Sequence, residues 1–142
     1  MSTLSAAITA AATALGAERT RIEVAVSNLA NAESTRTADG GPYRRRDVIL
    51  SSHPVSTFDQ MLGAATATGV KVAAVVEDTA PFRKRYDPSH PDRDADDWVS
   101  LPNVDAPMEM VDLLGAARAY QANLAAINVI RDMKSRSLEL GR

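Results

Sequence analysis

Residues 107–140, PMEMVDLLGAARAYQANLAAINVIRDMKSRSLEL, contain one glycine and no proline after Pro107. Apolar residues recur at Met110, Leu113, Ala117, Tyr120, Leu124 and Ile127 in alternating steps of three and four, the spacing of one narrow helix face. After Ile127 the seam shifts by one residue and continues through Ile130, Met133, Ser137 and Leu140. At 1.5 Å per residue, roughly 34 residues make a helix about 50 Å long. A compact globule of this chain's length has a radius of gyration of only about 14–15 Å. Its own domain cannot enclose such a helix, so something of similar length must cover the seam.

A candidate for that role lies at the other end of the chain. From Thr3 to about Ala30, Leu4, Ala11 and Ala25 occupy one heptad position and Ile8, Leu15, Ile22 and Leu29 the other, with Glu18 as the one interruption. Four heptads in register predict a helix that pairs with another helix. Its length would be about 40 Å, and Ser2 or Thr3 can cap its start.

The residues between the helices read differently. Asn31 to Arg46 is polar, and Asp39-Gly40-Gly41-Pro42 is a strong turn signal. Tyr43–Leu50 predicts a strand that Ser51–Pro54 ends, and Phe58–Ala65 reads as a loop or a short helical turn. GVKVAAVVED, from Gly69, alternates with Val70, Val72, Ala74 and Val76 on one face, as a half-buried strand does. Phe82 and Tyr86 lie on a further candidate strand, DPSHPDRDADD is a loop, and WVSLP is a last short strand. The predicted class is therefore mainly α with a small β-rich insert. Residues 1–34 and 104–142 form the helical part and residues 35–103 the insert. Asn103 or Asp105 caps the second helix, Pro107 suits its first turn, and Glu109 and Asp112 sit at the positive end of its dipole. Arg131, Lys134 and Arg136 sit at the negative end.

Composition excludes several functions. The net charge is −2, whereas dedicated nucleic-acid binders are usually clearly basic. There is no cysteine for disulfide or thiolate chemistry. The first basic residue is Arg19, and Thr9 and Thr13 interrupt the alanine-rich start, so the segment does not read as a cleaved secretion signal. No run approaches the roughly 18 apolar residues of a membrane span.

Catalytic signals are weak. His53 and His90 both adjoin proline in loops, with no nucleophile motif beside them. The aspartates at 87, 92, 94, 96 and 97 suggest a cation loop. Counted from Asp92, however, the positions where an EF-hand loop needs glycine and glutamate hold Asp97 and Asn103. Arg44-Arg45-Arg46 and Arg83-Lys84-Arg85 are expected on strands, facing the acidic loop of the same or a neighbouring subunit. No metal, cofactor or catalytic residue is predicted.

Several segments in order carry a resemblance. Val26-Ser-Asn-Leu-Ala-Asn-Ala-Glu-Ser-Thr-Arg36 resembles the Asn-Leu-Ala-Asn-Ala segment of the flagellar rod and hook axial proteins. Asp39-Gly-Gly-Pro-Tyr-Arg-Arg-Arg46, Tyr86-Asp-Pro-Ser-His-Pro-Asp92, Pro102-Asn-Val104, Glu109-Met-Val-Asp112 and Ala117-Arg-Ala-Tyr-Gln-Ala-Asn123 are similar to the proximal-rod members of that family. The resemblance implies an elongated structural subunit of a helical tube, the periplasmic rod of the flagellar basal body, with the terminal helices paired as a coiled coil. It also implies export by the flagellar type III apparatus without a cleaved signal. The implied partners are further copies and the rod proteins FlgB, FlgF and FliE.

The expected function is then assembly. Leu4, Ile8, Leu15, Ile22 and Leu29 are expected to pair with Leu113, Ala117, Tyr120, Leu124 and Ile127, with Met110 extending the seam. Asn28, Asn31, Gln121, Asn123 and Asn128 are candidates for hydrogen bonds that fix register across contacts. The alternatives are a soluble coiled-coil adaptor that dimerises through the same helices, and an enzyme with a metal in the aspartate loop.

Overall fold

The structure, a computed structural model, describes residues 3–38, 40–54 and 68–139. The expectations for Phe58–Ala65, Ser2, Asp39 and Leu140 lie outside those residues. Helix α1 spans Thr3–Ala30 and helix α2 spans Ala106–Glu139, with strands β1 (Arg46–Pro54), β2 (Thr68–Glu77), β3 (Arg83–Tyr86) and β4 (Trp98–Leu101) between them. Both helices therefore run nearly as far as their apolar periodicity predicts. Asp105, not Asn103, caps α2: its Oδ1 accepts the Met108 N–H at 3.1 Å. At the end of α1, the Asn31 side chain donates to the Ser27 carbonyl at 2.8 Å and takes up one of the carbonyls a helix terminus leaves free.

The helices pack side by side and run antiparallel, because Asn28 near the end of α1 bonds Glu109 near the start of α2. Farther along, Arg19 and Tyr120 are within electrostatic reach of each other. The expected α1 seam residues Leu4, Ile8, Leu15, Ile22 and Leu29 are all half-buried. The buried apolar positions along the pair are Ala17 and Ala25 on α1 and Ala116 and Ile127 on α2, three of the four being alanine. Small side chains occupy most of the line of closest approach, and the longer α1 seam residues flank it.

On α2 the covered face differs from the expected seam. Residues 109, 113, 116, 120, 123, 127 and 130 are buried or half-buried, in unbroken steps of four and three. Leu113, Ala117 and Tyr120 are half-buried and Ile127 is buried. Met110 is 52% exposed and Leu124 45% exposed, so neither lies on the seam within the chain. The shift predicted after Ile127 disappears, because Glu109, Ala116 and Asn123 occupy the seam positions. Hydrophobicity alone passes over Glu109 and Asn123 in favour of Met110 and Leu124, and it cannot separate Ala116 from Ala117.

The insert is two antiparallel strand pairs, β1–β2 and β3–β4. Strand β1 begins at Arg46 rather than Tyr43 and continues through Ser51–Pro54, where it was expected to end. That stretch is paired with Thr68–Lys71, and ladder hydrogen bonds override a weak local preference for a turn. The register slips between Ile49 and Leu50, which pair with Ala74 and Val72 and leave Ala73 without an opposite residue. This β-bulge reverses side-chain parity along β2. Val70 and Val72 stay half-buried on the side facing α1, while Ala74 and Val76 move to the opposite side and are exposed. The expected single apolar face is thus divided. The Val70 N–H donates to Thr13 Oγ1 at 3.1 Å, placing the start of β2 against the middle of α1.

Strands β3 and β4 form a hairpin in which Tyr86 and Trp98 pair across the end with rings edge-to-face, 5.6 Å apart. The base of the insert is anchored by a small core of Ala32, Tyr43 and Val104, with Val99 and Leu101 also buried.

Candidate assembly site

The most constrained point in the molecule is where the two helices meet the insert. Asn28 is 1% exposed and Glu109 is 2% exposed. Asn28 Nδ2 donates to Glu109 Oε2 at 2.9 Å and to the Arg46 carbonyl at 2.8 Å. Its Oδ1 accepts the Tyr43 hydroxyl at 3.0 Å and the Arg46 N–H at 2.9 Å. Both donors and both acceptor positions of one amide are used, which makes burial of the group affordable. Tyr43 spends its single proton on Asn28, so the Ser27 hydroxyl, 3.3 Å away, donates to Tyr43.

Glu109 completes the junction. Its Oε1 accepts from Arg45 Nε at 2.6 Å, and the same guanidinium lies 3.7–3.9 Å from Asp47, Asp78 and Asp112. Burial alone would lower the Arg45 guanidinium. The Glu109 hydrogen bond and the surrounding carboxylates outweigh it, so the group is held above its ordinary value and stays charged. Asn103 ties the backbone: its Oδ1 accepts the Arg45 N–H at 2.9 Å, and its Nδ2 donates to the carbonyls of Asp78 and Ala80 at 3.3 Å. A lattice of charge-assisted bonds thus joins α1, α2 and the insert at one point.

The basic runs are placed here rather than against the acidic loop. Arg44 sits over the Phe82 ring, 4.4 Å from its centroid, and donates to the Asp78 carbonyl at 3.0 Å. Arg83 and Arg85 both reach Glu33, and only Arg85, through Asp87, touches the loop. The loop carboxylates serve local structure. Asp94 Oδ1 accepts the N–H groups of Asp96 and Trp98, and Asp92 accepts from Thr35 and pairs with Arg36.

Of the amide side chains that are candidates to fix register across contacts, Asn28 is consumed inside the chain. Asn31 and Asn123 bond carbonyls of their own helices, at Ser27 and Ala119, and Gln121 and Asn128 are exposed. Sequence reasoning missed Glu109 and Arg45 as a buried pair, reading the first as a helix-end charge and the second as part of a surface run. The unbroken 4-3 spacing from Glu109 to Ile130 is the signal that places Glu109 inside.

Beyond the junction, α2 exposes large apolar side chains on the side away from α1: Met108, Val111, Leu114, Val129 and Met133. The family described as flagellar basal body rod FlgEFG protein C-terminal matches residues 98–140, which take in β4 and α2. Flagellar basal-body rod protein FlgC of Salmonella typhimurium is 43% identical over 132 residues, covering 93% of this chain and 93% of its own length. The Bacillus subtilis protein of the same description is 42% identical over 140 residues, covering 92% and 93%. That of Agrobacterium fabrum is 36% identical over 141 residues, covering 99% and 96%.

Proposed function

The chain belongs to the FlgC family of flagellar basal-body rod proteins and is a structural subunit of the rod, not an enzyme; on that footing we propose that α1 and α2 together form one stave of a tube wall. The helices act as a coiled-coil pair whose inner seam holds the subunit together and whose outer faces meet neighbouring subunits. The insert stands off that pair at the angle set by the Asn28–Glu109–Arg45 lattice. The tube is the proximal rod in the periplasm, reached by type III export without a cleaved signal, with FlgB, FlgF and FliE as neighbours.

The observation that carries this reading is the outer surface of α2. Large apolar side chains exposed from Met108 to Met133 exceed what an isolated subunit keeps in water and suit a surface covered on assembly. The other reading, a soluble coiled-coil adaptor dimer, draws no support from the relatives. Deleting residues 1–20 removes most of α1 and leaves the α2 seam bare. Cells carrying that deletion should lose motility and build no rod, and purified basal bodies still containing the truncated subunit would sink the proposal.

A further inference from the structure

The chain has no cysteine, so no thiol competes with methionine sulfur for a hydroperoxide. Among the described residues there are three methionines, Met108, Met110 and Met133, all on α2 and each more than half exposed. None of them fills a gap in a core, the usual structural use of this flexible side chain. Methionine and leucine have nearly the same helix propensity, so α2 does not need sulfur at these positions to form.

The three differ in their surroundings. On a helix the neighbours of a side chain are the residues three and four positions away. For Met110 these are Ala106, Pro107, Leu113 and Leu114, all apolar and none with a side-chain hydrogen-bond donor. For Met133 they are Val129, Ile130, Arg136 and Ser137. The Ser137 hydroxyl is spent on the Met133 carbonyl at 2.9 Å, but the Arg136 guanidinium stands exposed one turn on. Met108 adjoins the exposed carboxylates of Asp105 and Asp112. Met110 also borders the side of α2 turned away from α1, since exposed Leu114 lies one turn on and only about 40° around the helix.

We propose that Met110 is a redox-sensitive modification site: oxidation of its thioether to the sulfoxide by a hydroperoxide excludes the subunit from the rod, and reduction by a methionine sulfoxide reductase readmits it. This rests on the rod-subunit reading, in which the bare apolar surface of α2 is covered on assembly. The sulfur lone pair attacks a peroxide oxygen, the O–O bond breaks and an S–O bond forms. Sulfur is oxidised by two electrons, and the departing hydroxide takes the proton from the new S–OH group and leaves as water. The reductase removes the oxygen again as water while two of its own thiols close to a disulfide. Before assembly, water bonds the new oxygen. A covering surface strips off that water, and Ala106, Pro107, Leu113 and Leu114 have no donor to replace it. At Met133 the Arg136 guanidinium supplies one. The same change is therefore rejected at one methionine and tolerated at the other.

The test compares two pools of subunit from cells building flagella in sublethal hydrogen peroxide. Peptide mass spectrometry reads the sulfoxide at each methionine in purified basal bodies and in the unassembled subunit of the same cells. Met110 sulfoxide should be at least about tenfold scarcer in basal bodies, while Met133 sulfoxide should be shared nearly equally. Equal shares of Met110 sulfoxide overturn the proposal. So does parallel depletion at both positions, which would mean that assembly shields sulfur without selecting its state. Absence of the unsubstituted chain from basal bodies would instead overturn the rod reading itself. As a second measurement, Met110→Gln places a permanent polar group of similar length at the site, and Met110→Leu removes the sulfur while keeping an apolar side chain. Both purified subunits should keep the helix content of the unsubstituted chain, because the position is more than half exposed. The glutamine variant should be missing from basal bodies. The leucine variant, expressed alongside the unsubstituted chain, should be enriched in basal bodies when peroxide is present and not otherwise. A glutamine variant that assembles normally, or a leucine variant with no advantage in peroxide, overturns the site.

Discussion

Asn28 and Glu109, 81 residues apart in the chain and both almost fully buried, share a hydrogen bond of 2.9 Å. One is near the end of α1 and the other near the start of α2, so this bond sets the height at which the antiparallel helices meet. Arg45 and Arg46 bring the insert to the same point through Glu109 Oε1 and the Asn28 amide. The subunit's rigidity is concentrated where its three parts join.

Replacing Asn28 by alanine should destabilise the subunit by about 3 kcal/mol, because it strands the buried Tyr43 hydroxyl, both backbone groups of Arg46 and one Glu109 oxygen. Chemical denaturation followed by circular dichroism measures this. A loss below about 1 kcal/mol would mean that water replaces the amide at the junction.

Arg45→Met should cost more than Glu109→Gln. The first leaves a buried carboxylate without its cation, while the second leaves an arginine that still has Asp47, Asp78 and Asp112 within 3.9 Å. Breaking a buried pair from one side costs about 3–5 kcal/mol. The double variant should recover part of that loss, and a thermodynamic cycle across the four proteins reads the coupling. Strict additivity would show that the pair acts independently.

Asp87 offers a pH test. Its carboxyl is lowered from the ordinary 3.8, first by the hydrogen bond from the Ser89 hydroxyl and then by the Ser89 N–H and the nearby Arg85. A depressed folded value means that the turn is stabilised above the unfolded value, and that this support is lost as pH falls through the folded one. An NMR titration of the Asp87 side chain should show a midpoint below 3.8, moving up in Ser89→Ala. A midpoint that ignores the Ser89 substitution would reject the assignment.

Gly41→Ala should destabilise the loop before β1 by about 1–2 kcal/mol, since its φ of +77° lies in the left-handed region. Its carbonyl accepts the Thr37 N–H at 2.8 Å, so the turn cannot relax without losing that bond. Thermal melts of the purified subunit compare the variants. An unchanged melting temperature would refute the expectation.

Val111→Glu puts a charge on the exposed outer face of α2 without touching its seam. The purified subunit should keep its helix content and stability within about 0.5 kcal/mol, while motility in soft agar is lost. Normal swarming by this variant would show that this part of the outer face is not covered in the rod.

The two helices and their extents were legible from residue order alone. Helix periodicity, the Asp105 cap and the polar break after Ala30 are local properties, and they locate α1 and α2 to within a residue or two of their observed ends. The presence of a β insert was legible for the same reason. So was membership of the rod family, which is carried by contiguous segments such as Asn28-Leu-Ala-Asn-Ala32 and Ala117–Asn123. Which side of α2 faces α1 was decided only by tertiary packing. Met110 and Glu109, like Leu124 and Asn123, are adjacent in sequence and about 100° apart on the helix. The choice between them depends on Asn28 and Arg45 arriving from elsewhere to satisfy the glutamate. The bulge that divides the apolar face of β2, and the ladder that carries β1 through Pro54, likewise depend on a partner strand. Local periodicity determines where a helix or strand forms; the pairing of distant polar groups determines which face is buried, and no window of residues contains both halves of that pairing.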